Sequence, residues 1–410
     1  MPVPTPVPPP TKSALPLPGR LAPAWRAAGI VLAGGAAWWA STMTGEHLVS
    51  APQDLVPAPV AEAVAEAPHF RQSWLTPVGH TPLVHCSGVT RLPSGGLLAY
   101  WYGGTREGAA DVAVFTSRLD EATGRWSPPA RVIDRAQAED ELDRRIKKVG
   151  NAVIFPDQIG NLWLVYASVS LGGWSGCALN IMSSQDEGRT WGPSRRLTLN
   201  PFFNISSLVR NKPIYASDGR IGLPVYHEMA TKYPQILWFK PGPGGALSDY
   251  KMRSLTGAED LIQPSLVSLG DDRVLMMLRD AGAARALHTA YSDDNGWTWS
   301  EAKPSTLPNP NAAVDGLRLR DGRILLVYNH AEHGRENLQL AVSSDDGRTW
   351  QPKAVFEQEP KREFSYPQLA QDEAGHIHLT YTWRRERIRH VSFNTAWLDQ
   401  AAPGKLAGMH

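Results

Sequence analysis

Arginines, carboxylates and tyrosines stand beside apolar runs in this chain, and such side chains can bind anions, transfer protons or act as nucleophiles. In Arg273-Val-Leu-Met-Met-Leu-Arg279-Asp280 an apolar run ends on Arg279, and Arg335 follows the run Ile324–Tyr328 and Asn329. Forked guanidinium donors at strand ends match a planar anion better than lysines do. The competing reading of each is a surface arginine paired with a neighbour, such as Arg279 with Asp280. Asp111 closes the Gly-rich loop Tyr102-Gly-Gly-Thr-Arg106-Glu-Gly-Ala-Ala-Asp111, just before the apolar run Val112–Phe115. A carboxyl so placed is either a proton donor at a strand end or an ordinary turn residue. From Tyr381 to Arg389 the alternation reads as a strand, a turn and a second strand, Ile388–Phe393, with Arg384 near the strand end. Arg384 is expected to give a further cationic contact worth about 1.5–3 kcal/mol. The alternative is a solvated hairpin in which Arg385 and Arg387 flank Glu386. No Cys/His cluster with metal spacing, phosphate-cradling loop or dinucleotide fingerprint occurs, so neither metal nor cofactor is expected. Cys86 and Cys177 lie in apolar segments and read as buried free thiols. A formal net charge of +1, without a long basic run interleaved with aromatics, argues against a nucleic-acid partner.

Residues so far apart in sequence need a closed scaffold to meet, and the chain carries a repeat that builds one. Ser-x-Asp-x-Gly-x-Thr-Trp occurs at Ser184–Trp191, Ser292–Trp299 and Ser343–Trp350, with a degraded copy from Ser117 to Trp126. The Asp can cap its own backbone, the Gly supplies a positive φ, and the Trp folds back over the hairpin. The closing tryptophans fit a repeat of roughly 50 to 60 residues with one silent copy between Trp191 and Trp299, a period typical of propeller blades. Short runs such as Leu97–Trp101, Leu162–Tyr166, Val274–Leu278 and Ile377–Tyr381 have strand length and β-branched or aromatic enrichment. Residues 75–397 therefore predict an all-β, six-bladed β-propeller, with 398–410 as a C-terminal tail. A solenoid of stacked strands fits less well, because the repeat is too long and its turn too specific. The chain's 410 residues, 42% of them hydrophobic, suffice for a large core, and 36 Gly, 34 Pro and 15 Trp suit turn-rich β structure.

The amino-terminal region differs in kind. Residues 1–26 are a Pro-rich tail; 27–45 run without a charge, just long enough to cross a bilayer; and 46–74 form an Ala/Pro-rich linker. Lys12, Arg20 and Arg26 precede the apolar run and Glu46 follows it, so the charge bias leaves the amino terminus in the cytoplasm and the propeller outside. A membrane anchor is expected, with a cleaved signal peptide as the alternative. A buried helix fits least, and the bulky Trp38-Trp39 pair fits poorly beside a cleavage site at Ala40-Ser41.

The turn boxes resemble the Asp-boxes, or BNR repeats, of the sialidase superfamily, and residues 75–397 resemble its bacterial sialidase-like members. Segments carrying the likeness include His85-Cys-Ser, Gly103-Gly-Thr-Arg106-Glu-Gly, Gln263-Pro264-Ser265, Pro308-Asn309-Pro310-Asn311 and Glu363-Phe-Ser-Tyr366-Pro. The resemblance implies Asp111 as acid/base, Tyr366 as nucleophile, and Arg279 and Arg335 as two of three carboxylate-binding arginines. It places Arg106, His85, Gln263, Asn309 and Arg384 among the substrate contacts. Two departures stand out: His85 lies where the family's first arginine is expected, and Gln263 where a glutamate partners the tyrosine. Glu363 is the expected replacement base.

The function so implied is exo-hydrolysis of an anionic or amino sugar on extracytoplasmic glycans by a tyrosine nucleophile. Two alternatives are a lyase acting on uronate-containing polysaccharide, with His85, Tyr366 and the arginines at its centre, and a non-catalytic carbohydrate-binding propeller.

Overall fold

Each turn box is held by one recurring set of hydrogen bonds. In the box at Ser343–Trp350, Thr349 donates to the Asp345 carboxylate through N (2.9 Å) and Oγ1 (2.6 Å), while Ser343 Oγ donates to Asp345 (2.7 Å) and accepts from Gly347 N (2.9 Å). The glycines at 188, 296 and 347 have φ of 82–83°, and a Cβ on any of them would meet the ring of the box tryptophan at 3.3–3.4 Å. The turn thus favours glycine chiefly through its positive φ, with the tryptophan ring crowding any added Cβ. Asp345→Ala removes the acceptor for three donors at once, and should cost about 1–3 kcal/mol; a lower denaturant midpoint with an unchanged m-value would show it.

The computed structural model describes residues 66–407, apart from 121, 201–203, 244–245 and 406. The expected Pro-rich tail, the 27–45 span and most of the linker lie outside these residues. Among the described residues no helix is long and apolar enough to cross a membrane.

The strands form six antiparallel sheets, four with four strands and two with an additional short strand. Their first strands are Leu83–Arg91, Lys148–Pro156, Ser207–Val209, Leu261–Gly270, Asp315–Arg318 and Phe364–Gln371, and successive sheets contact one another through these strands. This is the six-bladed propeller expected from the repeat. The silent copy is the third blade, whose turn after Tyr233–Pro241 runs through Gly242 and Pro243. The sixth blade has no box for a topological reason: its fourth strand, Phe70–Trp74, comes from the other end of the chain. It pairs with Arg387–Phe393 in register Phe70↔Phe393 to Trp74↔Arg389, closing the ring. The propeller therefore begins at 70, inside the expected linker. Its carboxyl end also extends past 397. A helix, Thr395–Gln400, is capped by Asn394 and buries Trp397 and Leu398 in the sixth blade's core, with Trp397 stacked on Phe70 at 4.6 Å.

The closing strand covers a buried polar chain. Trp126 Nε1 donates to His390 Nδ1 (3.2 Å), His390 Nε2 meets His378 Nδ1 (3.0 Å), and His378 Nε2 meets Asp372 Oδ2 (3.0 Å). Since an indole N–H can only donate, His390 carries its proton on Nε2 and passes the polarity on toward Asp372. Ser73 of the closing strand also bonds His390, and Arg71 and His69 face it. Burial first, then the charges of His378, Arg71 and His69, hold His390 well below its ordinary 6.5. Because the unfolded chain takes up this proton first, the stability it confers is present above about pH 6.5 and lost as pH falls below it, at ~1.4 kcal/mol per unit. An acid-side fall in melting temperature that His390→Gln flattens is the expected result. The chain borders a cavity of about 400 Å³ at the box-bearing end of the propeller; the arginines gather at the other.

Candidate active site

Topology alone selects which loops share the end opposite the boxes. In each blade the turn between second and third strands lies there, as does the connection to the next blade. These segments include 104–112, 227–233, 328–337, 358–364 and 383–387. Together they carry Glu107, Glu228, Arg335, Glu363 and Arg385.

A second device aims side chains from the innermost strands. Strand register slips at His85/Gly88, Gly150/Ala152, Ile262/Ser265 and Ser365/Gln368. At each slip one non-glycine residue turns left-handed: Cys86 (φ 52°), Asn151 (35°), Gln263 (52°) and Tyr366 (55°). A bulge redirects a side chain that pleating would otherwise keep in line, and bulky left-handed residues persist only where the surroundings enforce them.

Tyr366 stands at the centre of the resulting cluster. The Arg210 and Arg335 guanidinium carbons lie 5.2 and 5.6 Å from its ring centroid, and Arg279 Nη1 is 3.4 Å from its hydroxyl. Arg279 is fixed by Asn311 (Nε to Oδ1, 2.6 Å) and Gln263 (Nη1 to Oε1, 2.9 Å), leaving Nη2 without a protein partner among the described residues. Gln263 in turn donates to Tyr226 Oη (3.1 Å), which also accepts from Asn151 (3.2 Å). Burial lifts the Tyr226 phenol well above its ordinary value, so it remains a neutral member of this network.

Glu363 organises the cations. It accepts from Arg385 Nε (2.7 Å), Ser365 Oγ (2.7 Å) and Arg335 Nη1 (3.1 Å). Burial pushes its pKa up, but the Arg385 bond, with Ser365 and Arg335, outweighs that and holds it below the usual carboxylate range. The expected role of Glu363 as base for Tyr366 is therefore corrected. Among the described contacts it makes none with the phenol, and three donors leave it a weak base. His85 does not replace an arginine's charge. Fully buried edge-on against Tyr366 (4.5 Å), it is kept neutral chiefly by burial, so its 3.9 Å approach to Glu363 is not an ion pair at neutral pH.

Other expected site residues land elsewhere. Asp111 is exposed, and its carboxylate accepts from Thr105 N (2.9 Å) and Thr105 Oγ1, clasping the 105–111 loop. These bonds, the hydroxyl's first, hold its pKa down and commit the carboxylate to the loop's own backbone and hydroxyl. Arg106 is exposed at the same loop. Asn309 is fully buried and spends its side chain on Ala312 N (3.0 Å) and O (2.9 Å), shaping the turn that presents Asn311. Arg384 pairs with Glu359 and stacks on Trp383 at 3.9 Å. The adjacent Arg385 reaches the cluster instead, because both residues are left-handed and the tight turn sends their side chains apart.

Sequence reasoning missed Arg210, Arg385, Tyr226, Glu107 and Glu228. Arg210 is 2% exposed and donates to Pro367 O (3.0 Å) behind Tyr366; its signal was its place beside Asn211-Lys212-Pro213. The cluster as built holds four guanidiniums against the carboxylates of Glu363, Glu107 and Glu228, with His85 neutral, a small surplus of positive charge that suits an anion. Among the described residues no group of three or more His, Cys, Asp or Glu is placed to hold a metal ion.

Comparison with known proteins agrees with this architecture. The family model described as "BNR repeat-like domain" matches residues 95–379. A sialidase of Bacteroides fragilis (strain YCH46) is 24% identical over 236 residues, covering 54% of this chain and 41% of the relative, so the chain spans less than half the length of that protein. Among solved structures, the Hadza microbial sialidase Hz136 superposes with a TM-score of 0.67 at 16% identity, covering 81% of this chain and 69% of the other. The intramolecular trans-sialidase from Ruminococcus gnavus gives 0.59 at 14%, covering 78% and 96%, and a Dyadobacter fermentans protein of unknown function 0.63 at 14%, covering 79% and 99%. At such identities the structures establish the shared propeller, while the family match spans most of the chain and the full run of its boxes. The chain belongs to the BNR repeat-like domain family.

Proposed function

We propose that this protein is an exo-acting, sialidase-like glycoside hydrolase that removes an acidic sugar from glycans outside the cytoplasm. The observation that carries the reading is Tyr366, a left-handed tyrosine with two guanidiniums at 5.2 and 5.6 Å from its ring centroid and a third at its hydroxyl. A neutral phenol can approach an anomeric carbon beside a substrate carboxylate without the repulsion a carboxylate nucleophile would meet. The surrounding arginines favour developing negative charge on its oxygen. In this scheme Arg279, through its free Nη2, and Arg335 hold the acidic group. The Tyr366 oxygen bonds to the anomeric carbon as its proton passes to water, the aglycone departs with a proton from an acid of the site, and a second water then releases the sugar as the phenol regains its proton.

The relatives named as sialidases support acidic-sugar chemistry, and His85 in place of an arginine supports a narrower or different acidic sugar. The apolar 27–45 segment and its charge bias support a membrane anchor. Turnover of aryl glycosides of sialic and uronic acids, with release of the free sugar, tests the hydrolase. An unsaturated, ultraviolet-absorbing product would indicate a lyase, and glycan binding without turnover a binding propeller.

A further inference from the structure

The reaction proposed above needs a proton at the departing oxygen, and its source follows from the loop that carries both Asp111 and Glu107. Asp111 is spent on closing this loop against Thr105. It borders a shallow outer hollow with Phe115, Arg131 and Asp134, which belong to the blade's outer strands and their exit. Glu107, near the loop's tip, reaches the other way. Its Oε2 accepts from Arg385 Nη1 at 2.8 Å, and Nε of the same guanidinium donates to Glu363 at 2.7 Å. One arginine thus bridges a carboxylate from the first blade and one from the entry to the sixth. Beside Glu107, the Lys148 ammonium stacks on Trp174 at 3.9 Å and packs against Gly108, where a Cβ would lie 3.2 Å from its Nζ. The Glu107 side chain is 37% exposed against 25% for Glu363, so it is the carboxyl of the bridged pair with more open access to the mouth, where an aglycone would sit.

We propose that Glu107 is the acid/base residue of this site and that Asp111 is a positioning residue that shapes the Glu107 loop. This rests on the hydrolase reading. In the first step the Glu107 carboxyl gives its proton to the glycosidic oxygen as the C–O bond breaks and the Tyr366–carbon bond forms. In that step the Tyr366 phenolic proton passes to water. In the second, the Glu107 carboxylate takes a proton from the attacking water as that water's oxygen displaces Tyr366, and the departing phenolate takes a proton back from water, which restores both groups.

The test uses the full chain and paired substrates of one acidic sugar, one with a 4-nitrophenyl aglycone and one with an alkyl or sugar aglycone. Departure of a good leaving group needs little protonation, so Glu107→Gln should lose ~10²–10⁴-fold on the alkyl glycoside and far less in the first step with the nitrophenyl one. Added azide, which attacks without base help, should restore nitrophenyl turnover and yield the glycosyl azide. Asp111→Asn should lower both substrates by the same factor, with no azide effect. Equal losses for Glu107→Gln on both substrates, or the leaving-group split and azide rescue in Asp111→Asn or Glu228→Gln, would overturn the assignment while leaving the hydrolase reading intact. A folded parent that turns over neither substrate on a panel of acidic sugars removes the hydrolase reading, and this inference with it.

Discussion

Tyr366→Phe will lower kcat on an acidic-sugar glycoside by on the order of 10³-fold, about 4 kcal/mol of transition-state stabilisation, while KM and melting temperature change little. The substitution removes one oxygen, whose only described protein contact is the 3.4 Å approach of Arg279. The ring keeps its edge-on contact with His85 and its approach to Arg210 and Arg335. A nucleophile lost without loss of packing should therefore appear in kcat and not in stability. Steady-state kinetics with a thermal melt on the same preparation decide it, and a kcat within tenfold of the parent would remove Tyr366 from the chemistry.

Arg279→Ala is expected to raise KM for the acidic substrate by about 10–100-fold, the loss of one charge-assisted contact of about 1.5–3 kcal/mol, with a further fall in kcat. The fall in kcat follows from its partners, since Arg279 links Gln263, Asn311 and the Tyr366 hydroxyl. Arg279→Lys should recover little, because a single ammonium cannot serve those three contacts and a ligand from the same fork. Arg384→Ala, by contrast, should leave KM within about twofold, as expected of a rim ion pair. If Arg384→Ala weakens the substrate as much as Arg279→Ala does, the assignment of the cationic pocket is wrong.

The fold was legible because the box is a local solution that repeats. Asp186, Asp294 and Asp345 meet the same serine and threonine partners, so spacing alone fixed the turns and the blade count. The ring closure was not legible, since Phe70-Arg-Gln-Ser-Trp74 shows no box and its partner strand lies at the other end of the chain. Of the site, Arg279 ends an apolar strand, Arg335 lies in the loop that leads into the strand before the third box, and Tyr366 interrupts an apolar strand shortly after that box, so each had a local sequence context. Arg210 and Tyr226 escaped because they sit within the third blade, whose box is absent and which therefore offered no register. Choosing Asp111 over Glu107, or Arg384 over Arg385, depends on side-chain direction in a tight loop. A left-handed residue or an Asp–Thr clasp reverses that direction without changing the local pattern.

The most direct test of the central claim is to trap the sugar on the protein. A fluorinated acidic sugar with a good leaving group slows the second step more than the first, so the glycosyl-enzyme accumulates and can be located by peptide mass spectrometry. The expected result is one sugar per chain, bound through the phenolic oxygen of Tyr366 and absent from Tyr366→Phe. A label on Glu107 or Glu363, or turnover of the unfluorinated substrate by Tyr366→Phe at the parent's rate, would contradict it.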